Sequence, residues 1–240
     1  GMFAFIIFDQ KETKWIAARD HFGIKPIYFI ELNNKIIFSS EIKSLLLHPK
    51  VNAKRSQDAL LQYLSFQLCL GNNTLFEGIK KIMPGQYIVG SKNKIIKIKQ
   101  FWDMNFEIKN ESEDYFVETL SELLSDAIRL QIRSDVPIGG YLSGGLDSSV
   151  VSSLAARKVD TEFSTFHGRF PNKGFDESKY AKMVSNNINS KYHDIVPSEL
   201  DFVDNISDII YYLDEPVAGP GVFPQFFVSK LARENVKVVL

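Results

Sequence analysis

Apolar runs too short for helices, set between polar turns, fill roughly the first hundred residues. They are MFAFIIFD (2–9), KWIAARD (14–20), KPIYFIE (25–31), KIIFSSE (35–41), QYIVG (86–90) and KIIKIKQFW (94–102). That spacing predicts antiparallel sheet. IKSLLLHP (42–49), closed by Pro49, and SQDALLQYLSF (56–66) have a helical period, and KIMPG puts Pro84-Gly85 at a turn. Beyond the polar stretch NFEIKNESED (105–114) the period changes. Phe116, Leu120, Leu123, Ala127 and Leu130 recur three or four apart, with acids Glu111, Glu113 and Asp114 near the start and Arg129 and Arg133 near the end. This is a helix whose charges complement its dipole. Strand and helix then alternate, with strands predicted at 137–143, 162–168, 191–196 and 236–240 and helices at 147–158, 176–188, 199–212 and 223–235.

The alternation calls for a parallel sheet with crossover helices. The expected fold class is therefore α/β and α+β, with an antiparallel-sheet part at 1–108 and a parallel α/β part at 109–240. The chain opens within one residue of a strand-like run and closes on VKVVL, a strand with nothing after it. Ligand-binding loops of open α/β sheets follow strand ends, so the expectation is a piece of a longer protein.

Charge and cysteine usage narrow the function classes. Lys and Arg number 28 against 29 Asp and Glu, with no long basic tract, which argues against nucleic-acid or anionic-membrane partners. No apolar run approaches the ~20 residues of a membrane span, and no signal-peptide pattern opens the chain. Cys69 stands alone, so no internal disulfide forms; that suits a reducing cytosol, and a cytoplasmic location is expected. Mid-chain in a helix or loop, Cys69 reads as structural.

The densest chemistry lies in VPIGGYLSGGLDSSVVSSLAARK (136–158), read as strand, tight glycine loop and helix. Gly144 and Gly145 let the backbone present its N–H groups without a Cβ in the way. Ser143, Ser148 and Ser149 add hydroxyl donors, and the helix aims its positive end at the same spot. The pattern is an anion cradle sized for phosphate. It lacks the lysine of a Walker loop, and Tyr141 stands where a G-x-S-x-G elbow needs glycine. Asp147 belongs beside phosphates only with a cation, and Mg²⁺ bridging carboxylate and phosphate oxygens is the expected one.

Ser143-Gly144-Gly145-Leu146-Asp147-Ser148 resembles the S-G-G-x-D-S pyrophosphate loop of ATP pyrophosphatases. The longer strings RSDVPIGGYLSGGLDSSVV and LDEPVAGPGVFPQFFVSKLAREN look specifically like glutamine-hydrolysing asparagine synthetase. AARDHFGIKPIYF, FSSEIKSLL, YLSFQ, LFEGIKKIMPGQY and the FW at 101–102 resemble the later part of a class II glutaminase domain. The resemblance covers residues 2 to 240. It implies the C-terminal part of an Ntn-type glutaminase domain at 1–108 and the start of a Rossmann-like ATP pyrophosphatase domain at 109–240.

The family makes asparagine from aspartate, ATP and glutamine through β-aspartyl-AMP. By resemblance, Ser143, Gly144, Gly145, Asp147 and Ser148 would hold pyrophosphate and its Mg²⁺, with Asp147 the metal ligand. Leu142, His167 and Gly168 would line the adenosine pocket. His167 stands where a small apolar residue is expected, so a nucleotide contact and an ordinary loop histidine both stay open. The family's glutaminase nucleophile is an N-terminal cysteine, whereas this chain begins Gly1-Met2. The S-G-x-G-x-D-E loop expected after VKVVL is absent too, so no complete catalytic set is expected here and the chain by itself is expected to be inactive. Arg19, Asp20, Gly23 and Pro26 match the glutaminase pattern and read as structure more than chemistry. Asp214 and Glu215 could face an aspartate pocket or cap a helix. Other readings are an amidotransferase acting on another carboxylic acid and a non-catalytic scaffold; a homodimer also stays open.

Overall fold

A computed structural model of the protein describes residues 1–33, 35–159, 161–170, 174, 176–217, 219 and 221–240. They divide into two compact units, Gly1–Glu107 with Ile210–Ala218 and Ile108–Ile209 with Gly219–Leu240. The fold is a mixed α/β one, with antiparallel sheets in the first unit and a parallel sheet in the second. Among the described residues no helix is long and apolar enough to cross a membrane.

The first unit carries β1 (Ala4–Asp9), β2 (Lys14–Arg19), β3 (Tyr28–Leu32), β4 (Lys35–Ser39), α1 (Ile42–Leu46), α2 (Gln57–Phe66), β5 (Ile79–Lys81), β6 (Gln86–Ser91) and β7 (Lys94–Gln100). Two antiparallel sheets form, in orders β1-β2-β6-β7 and β4-β3-β5. Trp15, Ala17 and Ile88 from the first sheet pack with Phe29 of the second, and Ile27 and Ile82 complete that core. On the other face of the second sheet, Ile30 and Ile79 meet Ile42 and Leu45 of α1. Trp15 sits opposite Gly90 in the β2–β6 ladder, and a Cβ at Gly90 would fall 2.0 Å from its ring. The indole fits only because that position is bare.

The turn leaving β2 is built from its own polar side chains. The Asp20 carboxylate, 2% exposed, accepts from the N–H groups of Phe3, Phe22, Ile24 and Lys25. Arg19 donates to the carbonyls of Gly23, Lys25 and Ile82. Both side chains therefore hold backbone in place. Cys69 is buried with its Sγ 3.8 Å from the Ala59 carbonyl, and burial pushes its thiol up.

Residues Ile210–Ala218 belong to this unit, which decides between the two roles left open for Asp214 and Glu215. Asp214, with φ +66°, turns its carboxylate onto the first N–H groups of α1, those of Ile42 and Lys43, at 2.7 and 3.0 Å. Its Oδ1 also lies 3.0 Å from Lys43 Nζ. Glu215 accepts from the Leu75 N–H, and burial pushes its carboxyl up against the effect of that bond. Both acids act as caps and anchors.

The second unit carries α3 (Glu113–Gln131), β8 (Ile138–Tyr141), α4 (Leu146–Ala156), β9 (Ser164–Gly168), α5 (Ser178–Asn187), β10 (Lys191–Ile195), most of α6 (Glu199–Leu213), α7 (Val222–Asn235) and β11 (Val238–Val239). Ser112 caps α3 by accepting from the Tyr115 N–H, in keeping with the acid-rich start. The sheet order is β10-β9-β8-β11, all parallel. One cluster joins Ile128 of α3, Ile138 of β8 and Ala155 of α4 to Phe163. Another joins Phe166 of β9 to Val228 and Ala232 of α7 and to Val236. The chain steps outward from β8 to β9 and β10 and then returns to the other side of β8 for β11. Open α/β sheets bind ligands outside the strand ends at such a reversal.

Several expected bounds are corrected. The strand expected at 25–31 starts later and ends at Leu32, those expected at 137–143 and 236–240 shorten to Ile138–Tyr141 and Val238–Val239, and β5 forms where no strand was assigned. The helical period of α3 is real, but Phe116, Leu120 and Leu123 on its apolar side are 46, 58 and 63% exposed.

Candidate functional site

β8 ends at the reversal point, and its exit is pinned before the glycines begin. Leu142 is fully buried; its N–H donates to the Phe166 carbonyl at 2.9 Å, and its own carbonyl lies 2.8 Å from His167 Nδ1. The loop Ser143-Gly144-Gly145 then leads into α4. Gly144 takes φ +92°, and a Cβ there would come within 2.9 Å of the Glu177 carbonyl oxygen and 3.0 Å of the Ala181 nitrogen. Only glycine suits both the conformation and this approach to α5. Gly145 differs. Its φ is −73°, and a Cβ would meet only Ser143 Oγ, at 3.3 Å. Its bareness serves the open side of the loop.

Gly145 is the N-cap of α4 and offers no side chain to cap it. The first-turn N–H groups of Leu146, Asp147 and Ser148 have no intrahelical acceptor, so they and the helix dipole face the same opening. Ser143 Oγ accepts from the Gly145 N–H at 3.2 Å and lies 2.8 Å from Ser148 Oγ, while Ser148 Oγ accepts from the Ser143 N–H at 3.2 Å. These hydroxyls meet across the loop at its mouth, and Ser148 Oγ also lies within donating distance of the Gly145 carbonyl, at 3.2 Å. Ser149 does not join them. Its hydroxyl donates to the Gly145 carbonyl at 2.7 Å, one turn back, so it closes the helix and is no donor to the cradle.

Beside the cradle lies an open pocket of about 190 Å³. Leu142, Ser143, His167 and Gly168 line its sheet side, and Pro224, Gln225 and Val228 of α7 line the other. Leu142, His167 and Gly168 are thus brought together at adjoining strand ends. The first turn of α7 and Glu177 at the start of α5 also line the pocket, and the sequence reading assigned them no role. Pro224 in the first turn of a helix was the available signal, since proline marks helix starts. Nearby, Arg169 Nε pairs with Asp194 Oδ2 at 2.8 Å. The N–H and hydroxyl of Ser178 hold the Asp176 carboxyl below its usual range.

Asp147 is exposed in the first turn of α4. Among the described residues no three His, Cys, Asp or Glu gather as a metal site. A cation here would rest on one carboxylate and on oxygens brought by a ligand. That arrangement suits Mg²⁺, which keeps water and uses few protein carboxylates beside substrate phosphates.

The comparisons with known proteins agree in both halves of the chain. Residues 1–102 match the glutamine amidotransferase domain model, and residues 119–240 match the asparagine synthase model. Glutamine-hydrolysing asparagine synthetase 1 of Bacillus subtilis is 34% identical over 240 residues, covering all of this chain and 38% of that protein. A putative asparagine synthetase of Methanocaldococcus jannaschii is 33% identical, with all of this chain and 47% of that protein covered. The amidase chry2 of Gibberella zeae is 29% identical over 90% of this chain and 34% of that protein. Among solved structures, an ammonia-dependent NAD synthetase from Campylobacter jejuni aligns with 51% of this chain and 54% of its own, at 16% identity and a TM-score of 0.34. The chain thus spans less than half the length of the curated relatives it matches. With the asparagine synthase model matched over more than half of its residues, from α3 through the loop after β8 to β11, the chain belongs to the asparagine synthase family.

Proposed function

We propose that the chain contributes the pyrophosphate and adenosine sites of a glutamine-dependent asparagine synthetase. In the first step the side-chain carboxylate of aspartate attacks the α-phosphorus of ATP. The bond from that phosphorus to the bridging oxygen breaks, and pyrophosphate leaves β-aspartyl-AMP behind. Ammonia from glutamine then attacks the acyl carbon, AMP departs, and a proton is lost as the amide forms.

The role of this chain is to receive the leaving pyrophosphate. The first-turn N–H groups of α4 and the hydroxyls of Ser143 and Ser148 meet negative charge as it grows on the departing oxygens. Asp147 is the carboxylate that would share a magnesium ion with those oxygens; the ion, when bound, would supply charge neutralisation. Leu142, His167 and Gly168 would border the adenosine. Cys69 takes no part in glutamine hydrolysis, because its buried, raised thiol is a poor nucleophile.

One observation carries the proposal: an uncapped helix start behind an unobstructed glycine, beside a pocket at the same strand ends. Gly145→Ala is the test, since its φ suits alanine and its Cβ would meet only Ser143 Oγ. Calorimetry should find that pyrophosphate and ATP bind the parent chain and that Gly145→Ala loses both while unfolding normally. Gly144→Ala should instead lower the unfolding midpoint. ATP binding that survives Gly145→Ala would put the nucleotide elsewhere.

A further inference from the structure

α3 is apolar on two sides, and the fold of its unit uses one of them. Ile128 and Ile132 pack with Ala155 of α4 and with Phe163. The other side carries Phe116, Leu120, Leu123, Ala127 and Leu130, at steps of four, three, four and three residues. That alternation is the seam of a coiled coil, in which each apolar side chain enters a gap on a facing helix. Phe116, Leu120, Leu123 and Leu130 are all exposed. The apolar surface continues beside the seam into a groove of about 480 Å³ against α4, where Val117 and Leu124 meet Val150 and Leu154. A contiguous apolar patch of this kind marks an interaction surface.

We propose that a second copy of this chain covers the seam, with the two α3 helices antiparallel about a two-fold axis. Charge selects this occupant and this orientation. Glu111, Glu113 and Asp114 crowd the start of α3, while Arg129 and Arg133 lie at its end. Arg129 is engaged by Asp126 of its own helix, which leaves Arg133 for another acid. An antiparallel copy sets Arg133 beside the other copy's acidic start and runs the two helix dipoles head to tail. A parallel copy would stack acids on acids. Side-chain size agrees. When Leu120 of one copy lies level with Leu123 of the other, Phe116 lies level with Ala127. Two leucine layers then sit at the centre, and at each end the small residue leaves room for the large one. Parallel pairing would overfill the Phe116 layer and leave a void at Ala127. The contact is the same patch on both copies, so assembly closes at two. A 19-residue helix is only about 28 Å long, so the interface is small and its dissociation constant is on the order of 10 µM.

Sedimentation equilibrium of the chain across about 5 to 500 µM should show monomer passing to dimer and nothing larger. Leu120→Glu places like charges in the central layers and should weaken the dimer at least ~10-fold. Its unfolding midpoint should not change, because Leu120 is exposed in the single chain. The charge contact gives a second arm on two exposed side chains, Glu113 and Arg133. Glu113→Arg and Arg133→Glu should each weaken association, and the double variant should restore it, because each new charge then meets its opposite across the two-fold. In a parallel pair residue 133 meets only residue 133, and the double variant would restore nothing. A chain that stays monomeric throughout overturns the proposal, and so does a dimer that Leu120→Glu leaves intact. Losses that add in the double variant overturn it as well. Should Leu120→Glu fail to fold, the charge variants still decide.

Discussion

Two strand exits in this chain look alike on paper and behave as opposites. The run RDHFGIKP after β2 and the run LSGGLDSS after β8 each combine polar side chains with glycine. At the first, Asp20 and Arg19 are spent on the backbone: Asp20 accepts from four N–H groups and Arg19 donates to three carbonyls. At the second, the backbone is pinned by Leu142 and His167, while the hydroxyls of Ser143 and Ser148 bond chiefly to each other at an open mouth. Polar density in a sequence does not separate scaffolding from chemistry. What separates them is whether donors and acceptors are consumed by the fold.

The sharpest way to break this contrast is to remove an inward group. Asp20→Ala strands N–H groups that the carboxylate satisfied, and should lower stability by about 3 kcal/mol in denaturant unfolding. A loss below 1 kcal/mol would mean that water replaces the carboxylate and that the turn is no scaffold.

A gentler probe is acid. Burial alone would raise the Asp20 carboxyl, but its backbone donors outweigh burial and hold it below the ordinary aspartate range. The native state therefore binds this proton less readily than the unfolded chain. The stability so gained is present above the ordinary range and is lost as pH falls below about 4 towards the lowered native value. Asp20→Asn should flatten that part of the pH profile; an unchanged profile would assign the acid sensitivity to other carboxylates. Smallest is the difference between adjacent serines. Ser148→Ala should weaken pyrophosphate binding by about tenfold, while Ser149→Ala should leave it within twofold, because the Ser149 hydroxyl is held on the Gly145 carbonyl at 2.7 Å, whereas Ser148 Oγ lies 3.2 Å from that carbonyl and 2.8 Å from Ser143 Oγ at the mouth. Equal effects would show that orientation in the free loop does not govern binding.

The sequence revealed most of what rests on periodicity. Short apolar runs gave the antiparallel strands, and alternating runs gave the parallel sheet that sets Ser143–Ser148 at its reversal. It revealed less where a residue's neighbour is distant along the chain. β5, of three residues, is too short to have a period and exists because β3 offers it a ladder. The stripe Phe116, Leu120, Leu123 announces a helix face but not what, if anything, covers it. SGGLDSS shows three hydroxyls, and only the backbone path reveals that Ser148 also meets Ser143 across the loop while Ser149 bonds the Gly145 carbonyl alone. Asp214 and Glu215 read equally well as pocket acids or caps, since their partners, Ile42, Lys43 and Leu75, lie far upstream.

That last arrangement bears on how the chain is made. A ribosome delivers residues in order, and domains tend to fold as they emerge. The first unit cannot finish on that schedule. When residue 107 has appeared, the amides of Ile42 and Lys43 still lack the carboxylate that caps them, and the amide of Leu75 still lacks its acceptor. Both partners come from residues 214 and 215, made only after the stretch from β8 to α6. Completion of the earlier unit is thus deferred until most of the later one has been synthesised, which ties the maturation of the two units together in time.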